Sequence, residues 1–350
     1  VLDHHTGIVT DYYAPVTVNA GGIWGHHIAQ MAGANISMFP AKGALLIFAH
    51  RVNSVVINRC RKPANADILV PGDTVCVIGT TSTRVPYEEC DHLKVTPDEV
   101  DLLLTEGAKL APCLAETRVL RAYAGVRPLV SADNDPSGRN ISRGIVCLDH
   151  ETRDGIKGFI SITGGKLMTY RLMGEMAADA VCKKLGRDAK CVTADTPLPG
   201  SEPGGIEEIS KKIWEVPTMV QKASVGRFGT QAAKLDFDGD VKGSLVCECE
   251  EVSVSEVDSA IENLEVNNLV DLRRRTRFGM GTCQGELCAC RAAGRLAKAR
   301  KCTSKARADL KDFMNERWKG MYPVAWGETL RESAYTQWVY SEVMGLGEEI

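Results

Sequence analysis

The sequence lacks any uncharged apolar run approaching the ~18 residues of a membrane-spanning helix, so no stretch of it reads as a membrane helix. It also lacks a charge excess of either sign: 42 basic and 45 acidic residues leave a net charge of −3. That gives no electrostatic case for binding nucleic acid. An even cysteine count is missing too. The 13 cysteines argue against a complete disulfide framework. Eight of them (60, 76, 90, 113, 147, 182, 191 and 302) are scattered, as small buried or surface residues are in a reducing compartment. There is no initiator methionine: Val1 enters in the middle of what reads as a strand pair, so the chain is expected to be a piece of a longer protein. Its 350 residues allow two or three domains.

What is present begins with two strand–glycine–helix turns. "PVTVNA" reads as a strand ending in Gly21-Gly22, with "IWGHHIAQMAG" as the following helix. "FISIT" alternates as a strand, turns at Gly164-Gly165 and continues into a helix with Leu167, Leu172, Met176, Ala180 and Val181 on one side. Such turns occur in any parallel sheet. A glycine pair opening a helix also exposes backbone N–H groups at the positive end of the helix dipole, and Lys166 follows at once, so an anion could be bound there. Between these turns, "KGALLIFAHRVNSVVINR" and "DTVCVIGTTST" have strand-like patterning. Residues 96–112 read as a helix, with a Thr96/Glu99 capping box, Pro97 in the first turn and Pro112 closing it. Residues 33–138 are therefore expected to form a mixed sheet crossed by a helix.

Residues 187–245, rich in Pro, Gly and charge, read as a linker with one or two short helices. Beyond it stand "VCECEE" and "GTCQGELCAC". Between them, "SVSEVDSAIENL" reads as a helix capped by Ser253 or Ser255. "NNLVDLRRRTRFG" reads as another, capped by Asn267 or Asn268 and stopped at Gly279. This helical hairpin returns the chain to its start and brings Cys247 and Cys249 near Cys283 and Cys288, with Cys290 spare. Four thiolates suit a [2Fe–2S] cluster or structural zinc. Zinc usually takes C-x₂₋₄-C pairs, whereas the first pair here is C-x-C. The spacing thus favours iron–sulfur, with zinc and plain buried thiols as alternatives. Arg273, Arg274, Arg275 and Arg277 could raise the potential of an anionic cluster, or could simply be a solvated helix face.

Several stretches together carry a more specific resemblance: "VNAGGIWG", "MFPAKGALLI", "INRCRKPANADILVPGDT", "YAGVRPLVSADNDPSGRNISRGIVCLDH", "ITGGKLMTYRLMGEMAADAVCKKLG" and "NNLVDLRRRTRFGMGTCQGELCACRAAG". The chain resembles the large subunits of the anaerobic, FAD-dependent glycerol-3-phosphate dehydrogenase family. Segment 247–288 is similar to the [2Fe–2S] domain of the bacterioferritin-associated-ferredoxin (BFD) type. The family's opening G-x-G-x-x-G unit is absent from this stretch of sequence.

The resemblance implies an α/β protein. Its parts would be the remainder of an FAD-binding Rossmann-like (glutathione-reductase-type) domain over 1–32 and 139–190, an inserted mixed-sheet substrate domain over 33–138, the linker 191–245, the small helical [2Fe–2S] domain over 246–298, and a helical tail over 299–350. It places Gly21, Gly22, Ile23 and Trp24, and Gly164, Gly165, Lys166, Leu167, Met168 and Thr169, beside FAD. Arg127, Arg143 and Lys166 would hold the phosphate of glycerol 3-phosphate, and Cys247, Cys249, Cys283 and Cys288 the cluster. Lys166 would also face the reaction centre. The catalytic base is unassigned, because Leu45 stands near the place where single-chain relatives carry a histidine; His50 is the candidate. The reaction implied is oxidation of sn-glycerol 3-phosphate to dihydroxyacetone phosphate, with electrons passed through the cluster toward quinone. The implied partners are the two other subunits of such a dehydrogenase, one redox-active and one an iron–sulfur membrane anchor, at the cytoplasmic face of the cell membrane. An electron-transfer module, or an amine or proline dehydrogenase with the same cluster domain, are the alternatives.

Overall fold

The β-branched and alternating segments at 17–19 and 159–164 form parallel strands, Thr17–Asn19 and Phe159–Gly164, with Thr17 opposite Phe159 and Asn19 opposite Ser161. Ile145–Asp149 pairs antiparallel on the other side of Phe159–Gly164 and completes a three-stranded sheet. The central strand is buried up to Thr163, as its apolar content requires. A 3₁₀ turn, Gly22–Trp24, and the helix Gly25–Met31 follow the first strand; Leu167–Thr169 and the helix Tyr170–Lys184 follow the central one.

The computed structural model describes residues 1–3, 6–130, 144–239 and 241–347. The chain divides into two units, Val1–Gly43 with Ser82–Leu93 and Gly125–Thr196, and Ala44–Thr81 with Lys94–Ala124 and Pro197–Ile350. The sheet just described belongs to the first. The strands Met38–Phe48 and Val119–Val130 pass through both.

In the second unit, Ile57–Asn58, Ile68–Pro71 and Cys76–Gly79 pair antiparallel in that order, and Cys76–Gly79 pairs with the C-terminal half of Met38–Phe48. Leu46, Phe48, Leu69 and Ile78 face the helix Pro97–Leu110, which contributes Val100 and Leu103 to the same core. The Thr96/Glu99 capping box forms as the sequence indicates, and Pro112 opens a 3₁₀ turn after the helix.

The cysteine segment builds its own core. Helices Val254–Asn263, Leu269–Thr276 and Ala289–Arg300 bury Val257, Leu269, Leu272, Ala292 and Leu296 together with Phe278. Helix Ala306–Met321 adds Leu310, Phe313 and Met314 to that core. Ser253 and Asn268 are the two helix caps. The second helix stops earlier than its glycine indicates. Arg277 takes the left-handed conformation (φ 67°), and its side chain is held by Glu250. Within 187–245, helices Ile206–Ile213 and Met219–Phe228 close around Ile209, Val225 and Ala232. Arg227 ties this segment to the cysteine segment by bonds to the Glu256 carboxylate and the carbonyls of Glu250 and Glu251. Among the described residues, no helix is long and apolar enough to cross a membrane.

Candidate functional site

In the first unit, both glycine turns leave the carboxyl ends of the parallel strands, where open α/β sheets bind ligands. Asn19 anchors the first turn: its Oδ1 accepts from Gly21 N–H (3.2 Å), and its Nδ2 donates to Gly25 O (2.8 Å) and Ser161 Oγ (3.1 Å). The Ile23 side chain is buried in the core, and Trp24 donates through Nε1 to Asp91 (2.9 Å).

The second turn departs from the sequence expectation. Gly164 and Gly165 both have positive φ (73° and 67°), and a Cβ on Gly164 would stand 2.4 Å from the Gly144 carbonyl oxygen. This close return uses the donors. Gly165 N–H bonds to Gly144 O (3.0 Å), and Lys166 N–H bonds to Thr169 Oγ1 (2.9 Å). The glycine pair is not a fan of free N–H groups. The helix proper starts only at Tyr170, so any anion here is held chiefly by side-chain charge. Leu172 is exposed, and the buried residue of that helix is Ala177.

Arg127, Gly164, Gly165, Lys166 and Leu167 line one cavity of about 540 Å³, together with Tyr170 and Met173. The Arg127 guanidinium lies over Gly43, and Nη1 is 3.5 Å from the carbonyl oxygens of Ala41 and Lys42. Tyr170 and Met173 were missed in the sequence. Their spacing from Lys166, four and seven residues, is the helical signal that could have found them. Leu167 and Met168 are the most open of this turn, at 91% and 81% exposed. Arg143 lies outside the described residues. His50 belongs to the second unit, where it is exposed just beyond the strand Met38–Phe48.

The cysteine site lies wholly in the second unit. Its thiols act on one another's ionisation in sequence, Cys247 with Cys288, Cys288 with Cys283, and Cys283 with Cys249, and Thr282 Oγ1 donates to Cys249 Sγ (3.5 Å). Cys247 is held down at about 7, first by the thiol of Cys288 donating to it. Cys283 is likewise lowered by its thiol neighbours Cys249 and Cys288. Cys249 and Cys288, as donors, are pushed up, and burial adds to the rise. Cys290 stands apart from these four, at the start of helix Ala289–Arg300. Among the described residues, no three His, Cys, Asp or Glu side chains surround a single metal ion.

The surroundings fit an anionic cluster. Gly281 lets its loop approach closely: a Cβ there would sit 2.3 Å from Cys249 Cβ. Of the four arginines singled out in the sequence, only Arg273 turns inward, donating to Gln284 Oε1 (3.1 Å). Arg274 and Arg275 are exposed, and Arg277 pairs with Glu250 (2.8 Å) and Asp73 (3.3 Å). Burial raises the Glu250 carboxyl, and the Arg277 cation opposes that rise. Arg317, from a distant helix, reaches within 3.5 Å of the Cys283 carbonyl oxygen.

Comparison with known proteins matches two regions of the chain. Residues 1–171 match the FAD dependent oxidoreductase family model, and residues 245–296 match the BFD-like [2Fe–2S] binding domain. The chain thus joins an FAD dependent oxidoreductase segment to a BFD-like [2Fe–2S] binding domain, and FAD and a [2Fe–2S] cluster are the corresponding cofactors. It is similar to the A subunit of the anaerobic glycerol-3-phosphate dehydrogenase of Haemophilus influenzae, at 58% identity over 99% of this chain and 62% of that protein. The corresponding protein of Escherichia coli K12 is 59% identical over 100% of this chain and 64% of its own length. The chain therefore spans less than two thirds of the length of these relatives. Among solved structures, glycine oxidase from Geobacillus kaustophilus covers 53% of this chain and 45% of its own, at 18% identity and a TM-score of 0.39.

Proposed function

We propose that the protein containing this chain oxidises sn-glycerol 3-phosphate to dihydroxyacetone phosphate. The observation that carries this reading is that Arg127 and Lys166, far apart in sequence, line one cavity at the carboxyl end of a parallel strand. Their two cations match a phosphate dianion, and the Arg127 fork can donate two parallel bonds to it. With the phosphate fixed, C2 of the substrate is held against the turn 164–169. FAD, when bound beside Gly21–Trp24 and Gly164–Thr169, supplies a hydride acceptor there, and a [2Fe–2S] cluster on Cys247, Cys249, Cys283 and Cys288 supplies one-electron passage. The hydroxyl proton leaves to a base, for which His50 is the candidate from the sequence. Arg143 is assigned to the phosphate by resemblance alone. Residues 1–32 with 139–190 are assigned to the FAD-binding domain and 33–138 to the substrate domain. The segment 191–245 links them to the cluster domain, 246–298, and the tail, 299–350.

The relatives are named as subunits of an anaerobic enzyme, which supports an assembly with further subunits. As partners we assign to this protein an iron–sulfur membrane-anchor subunit together with a second redox subunit. Quinone is assigned as the eventual acceptor, and the position as peripheral on the inner face of the cell membrane. The test is turnover by the full-length protein with an artificial electron acceptor. Activity on glycerol 3-phosphate but not on amines or proline is expected. Preference for an amine substrate would overturn the reading.

A further inference from the structure

Largely buried cations lie beside the cysteine segment or beside one another, two of them from outside the 245–296 stretch that carries the thiols. Arg121, 6% exposed, comes from the strand Val119–Val130, and Arg317, 4% exposed, from the helix Ala306–Met321. Arg273 joins them from the helix between the cysteine pairs. Each keeps a buried nitrogen without a hydrogen-bond partner among the described residues: Arg121 Nη1, Arg273 Nε and Arg317 Nε. An unpaired buried donor is costly, so three of them in one neighbourhood call for an anion that accounts for them.

Their surroundings point to the thiolates. Arg317 reaches the backbone of Cys283, and Arg273 holds the side chain of Gln284, the next residue. Arg273 and Arg317 also feel the charge of Cys288 and Cys283 respectively, and Arg121 adjoins both arginines electrostatically. The carboxylates nearby pair only loosely with these arginines, and Glu332 pairs closely with Arg118 (2.5 Å) instead. Glu316 stands 3.6 Å from Arg121, and Glu286 and Glu332 stand 3.6 and 3.8 Å from Arg317. Burial lowers the pKa of all three arginines, and Arg273, at about 9, is still protonated at neutral pH.

We propose that Arg121 and Arg317, both buried, with the partly buried Arg273, form a cationic shell that raises the reduction potential of the cluster held by the four cysteines. The proposal rests on the cluster assignment made above. One-electron reduction, by an electron from reduced flavin, adds one negative charge to the cluster and breaks no bond. Fixed cations in a low-dielectric surrounding favour that charge, whereas exposed Arg274 and Arg275 are screened. Segments outside the cluster domain thereby set its redox poise.

The test is an EPR-monitored redox titration of the full-length protein purified anaerobically, with iron counted in every sample. Arg317→Gln, Arg273→Gln and Arg121→Gln should each lower the reduced-to-oxidised ratio at a fixed potential about tenfold, or ~59 mV for a one-electron couple. Arg317→Lys, which keeps the charge, should recover most of that loss, and Arg274→Gln should change nothing. Glu316→Gln, at a partly exposed position, removes an opposing anion and should shift the ratio the other way. If the buried variants fail to fold, that last variant decides: a rise supports the shell, and no rise overturns it. An intact cluster whose potential is unmoved by the three Gln variants, or moved equally by Lys and Gln at 317, also overturns it. A protein that purifies with zinc and no iron overturns instead the cluster assignment underneath.

Discussion

The two candidate sites are built on opposite plans. The cysteine site takes its four thiols from 42 consecutive residues, 247 to 288, folded round a core of their own, and two of the four are essentially inaccessible. The first-unit cavity gathers Arg127 and the turn 164–167 from separate stretches and leaves Leu167 and Met168 largely open. A metal centre needs several donors at fixed mutual distances, which short-range folding supplies cheaply. A substrate site needs few donors but an entrance, and strand ends supply that. One region therefore draws its donors from a single short segment, and the other from stretches far apart in sequence.

The harshest test of this contrast is to remove a thiol. Serine at Cys247, Cys249, Cys283 or Cys288 should abolish or grossly alter the iron–sulfur absorption and EPR spectra, while Cys290→Ser should leave them nearly unchanged. If Cys290→Ser were as damaging as the others, the assigned ligand set would fall.

Next comes the cation in the open site. Deleting one partner of a buried charge-assisted contact costs roughly 2–5 kcal/mol. Arg127→Ala in the full-length protein should thus cut kcat/KM for glycerol 3-phosphate about 30-fold or more, at 1.4 kcal/mol per tenfold. The poor turnover of glycerol, which has no phosphate, should be almost unaffected. Equal losses on both substrates would make Arg127 a structural residue.

A pair of glycine substitutions sharpens the comparison further. Gly281→Ala puts a methyl against Cys249 Cβ, and Gly164→Ala puts one against the Gly144 carbonyl at a positive φ. Each should destabilise its own unit by about 1–3 kcal/mol. The first should show as lower iron content and the second as weaker flavin retention. A reversed pattern would mean that the two sites do not have separate supports. The smallest effect is at a helix cap: Ser253→Ala removes the capping box of Val254–Asn263 and should cost about 1 kcal/mol, read from urea unfolding.

The elements legible in the sequence share a short-range cause. Helix Pro97–Leu110 and its capping box, the caps Ser253 and Asn268, and the strand–glycine turns at Gly21 and Gly164 all depend on neighbours within a few residues. The errors arose where a distant group took over. The Leu269–Thr276 helix ends at Arg277, not at Gly279, in a place where Glu250 captures the arginine side chain. The N–H group of Gly165 is consumed by the distant Gly144 carbonyl, which no reading of "GGK" as an anion loop anticipates.

By itself, then, the sequence determined the cysteine spacing, the hairpin that closes it and the glycine turns at the strand ends, because these follow from local geometry and periodicity. Only the tertiary structure decided which cations matter. It turned Arg273 inward, left Arg274 and Arg275 in solvent, and brought Arg121 and Arg317 from elements 152 and 44 residues away from Arg273 in sequence. A guanidinium's worth to a buried charge depends on burial and distance, and neither is written in the order of residues.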